Sequence, residues 1–256
     1  MALLRKTNKT VDLDTENRVL NDDSSFVTVE TYKDIRTNVR FSMPKTEKGK
    51  VIVITSAAPG EGKTTTSINL AITFAQMGAK VILVDCDLRK SRVHRYLKLD
   101  RKNGITNVLC GFSQLDKAIK RNVRENLDVL PSGETPPNPV ELMETEEYGK
   151  LISELQEKYD YIFIDTPPIT VVTDAAVAMK YSMGAIVVVR HNSTTFDMMD
   201  IAMEKIGATG VKVVGAIMVG SEEKRTMRGS KSGKYGYKYK YNYSYDYKYE
   251  DNEADK

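Results

Sequence analysis

The chain has 256 residues, 41% of them hydrophobic and 29% charged, with a formal net charge of +3. That length suits one domain with appendages or two small domains, and the apolar share is enough for a sizeable core. So small a positive balance argues against a strongly basic nucleic-acid binder. Two cysteines, Cys86 and Cys110, make no disulfide framework and favour a reducing cytosol.

Residues 1–25 are polar and read as a loose arm. The opening MALLRKTNKT holds a three-residue apolar run, too short for the core of a signal peptide. No stretch approaches the ~18–20 apolar residues of a membrane span. Over 26–43, Ile35 and Val39 stand four apart with Tyr32 on the same side, while Lys33, Arg36 and Arg40 fall on another face. This pattern predicts an amphipathic helix, ended by Pro44 and Gly49.

From 50 to about 220, short β-branched runs alternate with longer amphipathic stretches. The runs are Val51–Thr55, Val81–Val84, Leu127–Leu130, Tyr161–Ile164, Ala185–Val189 and Val213–Val219; helices are expected at 63–77, 140–158, 174–182 and 196–208. Nearly continuous apolar runs are how strands covered on both faces read. Their alternation with helices implies βαβ units, hence an α/β fold with a doubly wound, mostly parallel sheet. Pro136, Pro137 and Pro139 mark a rigid loop, and Met198, Met199 and Met203 are expected to pack against the sheet. Past Gly220 the apolar content collapses. Residues 221–234 read as a linker. Then tyrosine takes every second position: Tyr235, Tyr237, Tyr239, Tyr241, Tyr243, Tyr245, Tyr247 and Tyr249, from a total of 14 in the chain. The spacers are polar, so this tail builds no core and is expected to be disordered.

The first run leads into SAAPGEGKTTTS and an amphipathic helix. Gly60-Glu61-Gly62-Lys63-Thr64 matches the end of the phosphate-loop pattern G-x-x-x-x-G-K-[ST], although Ala57 stands where the pattern has its first glycine. Glycines let backbone N–H groups curl round phosphate oxygens, and the helix N-terminus adds a favourable dipole. On this reading Pro59, Gly60, Glu61, Gly62, Lys63, Thr64 and Thr65 form the nucleotide site of a P-loop NTPase fold. Lys63 reaches the β- and γ-phosphates and the Thr64 hydroxyl ligates Mg²⁺, so ATP and Mg²⁺ are the expected cofactors.

VILVDCDLRK ends one strand at Asp85-Cys86-Asp87, and YIFIDTPP ends another at Asp165. Ligands of such sheets gather beyond the carboxyl ends of the strands, so three aspartates can face one phosphate loop. Thr64, Asp87 and Asp165 are the candidate Mg²⁺ ligands. The rival reading of Asp85 and Asp87, a solvated turn, loses weight beside the other motifs. Cys86 reads as packing rather than ligation. Arg89, Lys90, Arg92 and Arg95, with His94, could orient phosphates, meet a partner or merely begin a helix; Arg190 and His191 end a strand at the same edge, where they could line the nucleotide's base pocket or simply close the strand.

Together these motifs resemble those of the bacterial tyrosine kinases of capsule and exopolysaccharide synthesis, in particular the cytosolic CpsD-like members of Gram-positive bacteria. SAAPGEGKTT is similar to the family's Walker A, VILVDCDLRK to its second aspartate motif, IFIDTPP to its Walker B, and the tyrosine run to its terminal cluster. ETYKDIRTNVRFS and LPSGETPPNPVELM also look like family segments, so the resemblance spans residues 26 to 256. It implies phosphate transfer from ATP to protein tyrosines, those of a neighbouring subunit's cluster included. It implies Lys63, Asp85, Asp87 and Asp165 as catalytic residues, with Asp85 accepting the tyrosine proton. It further implies a homo-oligomeric ring whose contact motif resembles Glu30, Lys33 and Arg36, with Lys33 in place of an arginine. The last implication is a transmembrane activator of polysaccharide co-polymerase type, which recruits a cytoplasmic enzyme to the inner face of the plasma membrane. The chain would then comprise an arm with an oligomerisation helix (1–48), an ATP-binding kinase domain (49–220), and a linker with its tail (221–256).

A free tyrosine has a pKa of ~10, so a base or a well-placed metal is needed near pH 7. A flexible segment of ~34 residues reaches about 30 Å, enough to meet an adjacent copy. Modifying all eight tail tyrosines would change the local charge by about −12 to −16, on a scale that could break a ring. Two rivals share the motifs. A ParA/MinD-like positioning ATPase carries a signature lysine where Ala58 stands, and a nucleotide-controlled scaffold would make no phosphotyrosine. Alternating aromatics and lysines also suit single-stranded nucleic acid, but no nucleic-acid partner is expected.

Overall fold

The computed structural model describes residues 18–221. The linker and tyrosine run, and with them the expectation of disorder, lie outside the described residues.

Within them, seven strands form one sheet in the order β3-β4-β2-β5-β1-β6-β7. The strands are β1 (Lys50–Ser56), β2 (Val81–Asp85), β3 (Lys120–Arg124), β4 (Leu127–Leu130), β5 (Tyr161–Asp165), β6 (Gly184–Arg190) and β7 (Val213–Val219). All neighbours pair parallel except β3 with β4. The helices are α1 (Phe26–Ser42), α2 (Lys63–Ala75), α3 (Val93–Tyr96), α4 (Ile105–Leu109), α5 (Leu115–Ala118), α6 (Pro139–Met143), α7 (Glu146–Lys158), α8 (Asp174–Met179) and α9 (Phe196–Gly207).

Successive strand side chains point to opposite faces, and both faces are covered here. Val51, Val53, Ile162 and Ile164 pack with Leu151 and Leu155 of α7 and Ile206 of α9. Ile52, Ile54, Tyr161 and Phe163 pack on the other side with Ile68, Leu70 and Phe74 of α2 and Val39 of α1. Phe74 meets Tyr161 and Phe163 with ring centroids 4.5 and 5.1 Å apart. Each such buried side chain contributes about 1.5–3 kcal/mol.

Four expectations need correction. The strand β3 went unforeseen because its Lys-Arg-Asn-Val-Arg sequence has no apolar run; it is the exposed antiparallel edge, where charge protects against pairing with other chains. The single helix expected over 140–158 is two, α6 and α7, separated at Glu144 and Thr145; Thr145 has extended backbone, and its hydroxyl donates to the Leu142 carbonyl (2.9 Å). Met199 packs on the core, but Met198 and Met203 are exposed, as are Phe196 and Ile201 on the same helix. Finally, the arm is not loose up to residue 25. Val19 and Leu20 are buried, and Asn69 of α2 accepts from the Leu20 N–H (2.9 Å) while donating to the Arg18 carbonyl (3.0 Å).

The helix α1 lies against α2. Its Arg36 turns inward, Nη1 donating to the Thr73 carbonyl (2.9 Å), whereas Lys33 pairs with Glu30 on its own helix (2.7 Å). Among the described residues no helix is long and apolar enough to cross a membrane.

Candidate active site

The strand β1 delivers the chain to a loop at the carboxyl edge of the sheet. Gly60 and Gly62 have φ of 84° and 88°, a region L side chains avoid, and a Cβ on Gly62 would also meet the Val219 side chain at 3.3 Å. This lets the loop curl and α2 begin at Lys63, leaving the first amides of the helix free for an anion. The cleft above is lined by the loop from Pro59 through Thr65 apart from Glu61, by Asp87 and Arg89 after β2, by Pro167 and Pro168 after β5, and by Arg190 at the end of β6.

Glu61, expected among the nucleotide-binding residues, turns away from the cleft. Its buried carboxylate accepts from the Ala58 N–H through Oε2 (2.8 Å) and from the Thr194 hydroxyl through Oε1. Arg190 Nη1 donates to the Gly60 carbonyl (3.1 Å), and the Thr170 hydroxyl donates to that of Ala57. Three side chains from distant segments thus hold the loop from outside. Thr194→Val removes one donor from a buried carboxylate, which typically costs about 1–3 kcal/mol. Thermal melts should show that loss. Kinetics should show KM for ATP rising more than kcat falls, because the loop's resting shape is what suffers.

Asp85 and Asp165 are register partners at the ends of β2 and β5, and both are 0% exposed. Burial, and then the charge of Asp165, push the Asp85 carboxyl up to about 8. The Ser91 hydroxyl on Oδ2 (2.7 Å) and the Asp87 N–H on Oδ1 (3.2 Å) only partly oppose this. Burial likewise pushes Asp165 up to about 6, against the charge of Lys63 and the hydroxyls of Thr64 and Ser67. Ser67 donates to Asp165 Oδ1 (3.0 Å), while among the described residues the buried Oδ2 has no hydrogen-bond partner of good geometry, the Thr64 hydroxyl lying near the carboxylate without a well-formed bond to it.

An orphaned carboxylate oxygen of this kind is costly, and a cation would offset the cost. Among the described residues no three His, Cys, Asp or Glu side chains form a ready cage. Mg²⁺ does not require one, since it is usually held by one or two carboxylates together with phosphate oxygens and water. Asp165, the Thr64 hydroxyl and Asp87 fit that sparse set.

Asp87 faces the cleft. Its Oδ2 pairs with Lys63 Nζ (3.2 Å), and its Oδ1 accepts the Lys90 N–H (2.9 Å). Asp85 sits behind it, away from the lining. Cys86 packs: burial pushes its thiol up, and Sγ lies 3.8 Å from the Tyr148 hydroxyl. Arg89 Nε donates to both oxygens of the buried Asp174 (3.1 and 3.3 Å). Arg190 joins the cleft and His191 does not. Sequence reasoning missed Ser67, Ser91, Thr170, Asp174 and Thr194. Only Asp174, an acid at a helix start, carried a local signal; the others are ordinary hydroxyls placed by the fold.

A family model described as an AAA domain matches residues 49–206. Tyrosine-protein kinase YwqD of Bacillus subtilis (strain 168) is 40% identical over 208 residues, covering 81% of this chain and 85% of that one. The kinase domain of the Escherichia coli tyrosine kinase ETK aligns with a TM-score of 0.73 at 33% identity, covering 82% of this chain and 80% of that one. The septum site-determining protein MinD complexed with Mg-ADP, from Pyrococcus horikoshii OT3, aligns with a TM-score of 0.57 at 32% identity, covering 66% and 70%. MinD resembles the fold over 66% of this chain, and the kinases match more of it. On the strength of the site and these relatives, the chain belongs to the bacterial tyrosine-protein kinases, built on an AAA domain.

Proposed function

We propose that the chain moves the γ-phosphoryl group of ATP onto tyrosine hydroxyls, including the eight from Tyr235 to Tyr249 on a neighbouring copy. The observation that carries this reading is the unpartnered Oδ2 of Asp165 beneath a cleft in which Lys63 rests on Asp87. A triphosphate entering the loop draws Lys63 from Asp87 toward the β- and γ-oxygens. Asp87 is then freed to act, with Thr64 and Asp165, on a cation. Bound Mg²⁺ would supply charge neutralisation of the phosphate oxygens. The amides of the loop from Pro59 to Thr65 hold the phosphates; Glu61 contributes its amide, since its side chain is committed to Thr194. Asp85 takes the phenol's proton only as the carboxylate, the form that burial and the charge of Asp165 disfavour, so it must first lose its own proton and its Ser91 contact must open. The bond between the γ-phosphorus and its bridging oxygen breaks, and a phosphorus–phenolate oxygen bond forms.

The wider assignment is part of the same proposal. It comprises a ring joined through the Glu30, Lys33 and Arg36 helix, a transmembrane activator that brings the enzyme to the inner membrane face, and control of capsular or exopolysaccharide synthesis and export. It also keeps the division into arm (1–48), kinase domain (49–220) and tail (221–256). Its support is kinship with the named kinases. Within the protomer Arg36 donates to the Thr73 carbonyl and Lys33 pairs with Glu30, so a contact with another copy would draw on the half-exposed Glu30–Lys33 pair more than on Arg36.

The test is the mass of the intact chain after incubation with ATP and Mg²⁺, with Lys63→Met beside it. Successive gains of phosphate on residues 235–249, absent in Lys63→Met, are the expected result. A chain that hydrolyses ATP and never gains mass would leave the scaffold or positioning ATPase in its place.

A further inference from the structure

The cleft has more positive charge than its nucleotide needs. Lys63 is committed to phosphate, Arg89 to Asp174 and Arg190 to the Gly60 carbonyl. Outside them, Lys90 and Arg92 also line the cleft; both side chains are exposed, and among the described residues neither has a carboxylate partner. Arg95 on α3 continues this rim, again exposed and without an ion pair. His94, beside them, has its pKa lowered by burial and then by the charges of Arg101 and Arg95, so the imidazole adds no further proton to the rim at neutral pH. Asp87, the one carboxylate lining the cleft among the described residues, lies on the inner side with Lys63. A second substrate that enters on the side away from Pro167, Pro168, Val171 and Val172 meets Lys90, Arg92 and Arg95.

The chain's own candidate acceptors differ sharply in charge. Tyr237 and Tyr239 have Lys238 between them, and Lys240, Lys234 and Lys231 lie close by. Tyr245, Tyr247 and Tyr249 are followed or interrupted by Asp246, Glu250, Asp251 and Glu253, against the single Lys248, so this end still carries a net negative charge. Against a cationic rim these two ends are not equivalent.

Resting on the kinase reading above, we propose that the Lys90–Arg92–Arg95 rim selects tyrosines with acidic neighbours. In the terminal cluster, phosphate is therefore placed first on Tyr245, Tyr247 and Tyr249. Each phosphate adds about −1.5 to −2 charge. Modification thus makes the segment a better ligand for the rim and carries the reaction toward the lysine-rich end. Exposed ion pairs are individually weak, so two or three acting together are worth roughly tenfold in kcat/KM. They are screened within about 8 Å at 0.15 M salt and 3 Å at 1 M.

Full-length protein with ATP and Mg²⁺ is given two synthetic peptides, one with residues 243–253 and one with residues 231–241. The acidic peptide should be used about tenfold more efficiently at low salt, and the ratio should fall toward one at high salt. Arg92→Glu with Arg95→Glu should erase or invert that ratio. In the intact chain, early phosphate should map to the last three tyrosines, and Glu250→Lys with Asp251→Lys should shift it. Equal use of both peptides at low salt, or a preference the rim variant leaves intact, overturns the inference while leaving the kinase standing. If a protein modifies its own tail but neither peptide, the rim is likewise not the selector. Absence of any phosphotyrosine would instead sink the kinase reading on which the rim depends.

Discussion

Asp165→Asn is expected to raise the melting temperature of the nucleotide-free protein while slowing tyrosine phosphorylation by about 10²–10³-fold. The carboxyl is fully buried, one of its oxygens has no donor, and Asp85 stands beside it. Holding its pKa up to about 6 rather than 3.8 means that its charge opposes folding by on the order of 3 kcal/mol at pH 8. The amide removes that charge with little change of shape. It also removes a charge that pushes Asp85 upward. For a domain of this size 1 kcal/mol moves the melting point by roughly 2–4 °C, so a rise of about 6–12 °C is expected at pH 8. The catalytic loss follows because an amide cannot match a carboxylate's hold on a divalent cation. Calorimetry and a phosphotyrosine time course check the two halves. A variant that melted lower would show that Asp165 stabilises the fold, contrary to its surroundings.

The second large effect is a fall in stability as pH rises through neutrality. A carboxyl whose folded pKa lies above its unfolded value keeps protons that the unfolded chain has already lost. The contribution of such a group is therefore greatest below its unfolded pKa and declines until the folded pKa is passed. Asp165, raised to about 6, acts in the lower part of that window, and Asp85, raised to about 8, across all of it. His94 opposes them below its ordinary value of 6.5, because its folded pKa is lowered. The clean interval is thus pH 6.5–8, where Asp85 should cost about 1.4 kcal/mol per unit. Melts without nucleotide should fall by roughly 4–6 °C across it. Asp85→Asn should flatten the curve, and Mg·ADP should shallow it by stabilising the charged carboxylates. A wild-type profile that is flat over this interval would mean that Asp85 is already ionised in the fold.

The outline of both results is legible in the amino-acid order, and their size is not. Runs such as Val51–Thr55 and Tyr161–Ile164 declare themselves because a parallel strand covered on both faces is apolar throughout. The edge strand β3 does not, since an exposed partner needs only main-chain pairing and can be all charge on its surface. Helices α3, α4 and α5 span four or five residues, too few to show a period. In the site, glycines and aspartates announce a phosphate loop because few other residues can do that work. The pairing of Glu61 with Thr194, or Arg89 with Asp174, joins positions 133 and 85 residues apart, and only the folded sheet makes them neighbours. The upward shifts of Asp85 and Asp165 are likewise properties of a buried strand edge and not of any local motif.

The grip of Asn69 on residues 18–20 has a mechanical meaning. The helix that starts at the phosphate loop is also the cleat to which the incoming polypeptide is tied. Such linkage is reciprocal: if tension upstream loosens that knot and slackens the helix, ATP affinity falls, and ATP occupancy tightens the knot by the same factor.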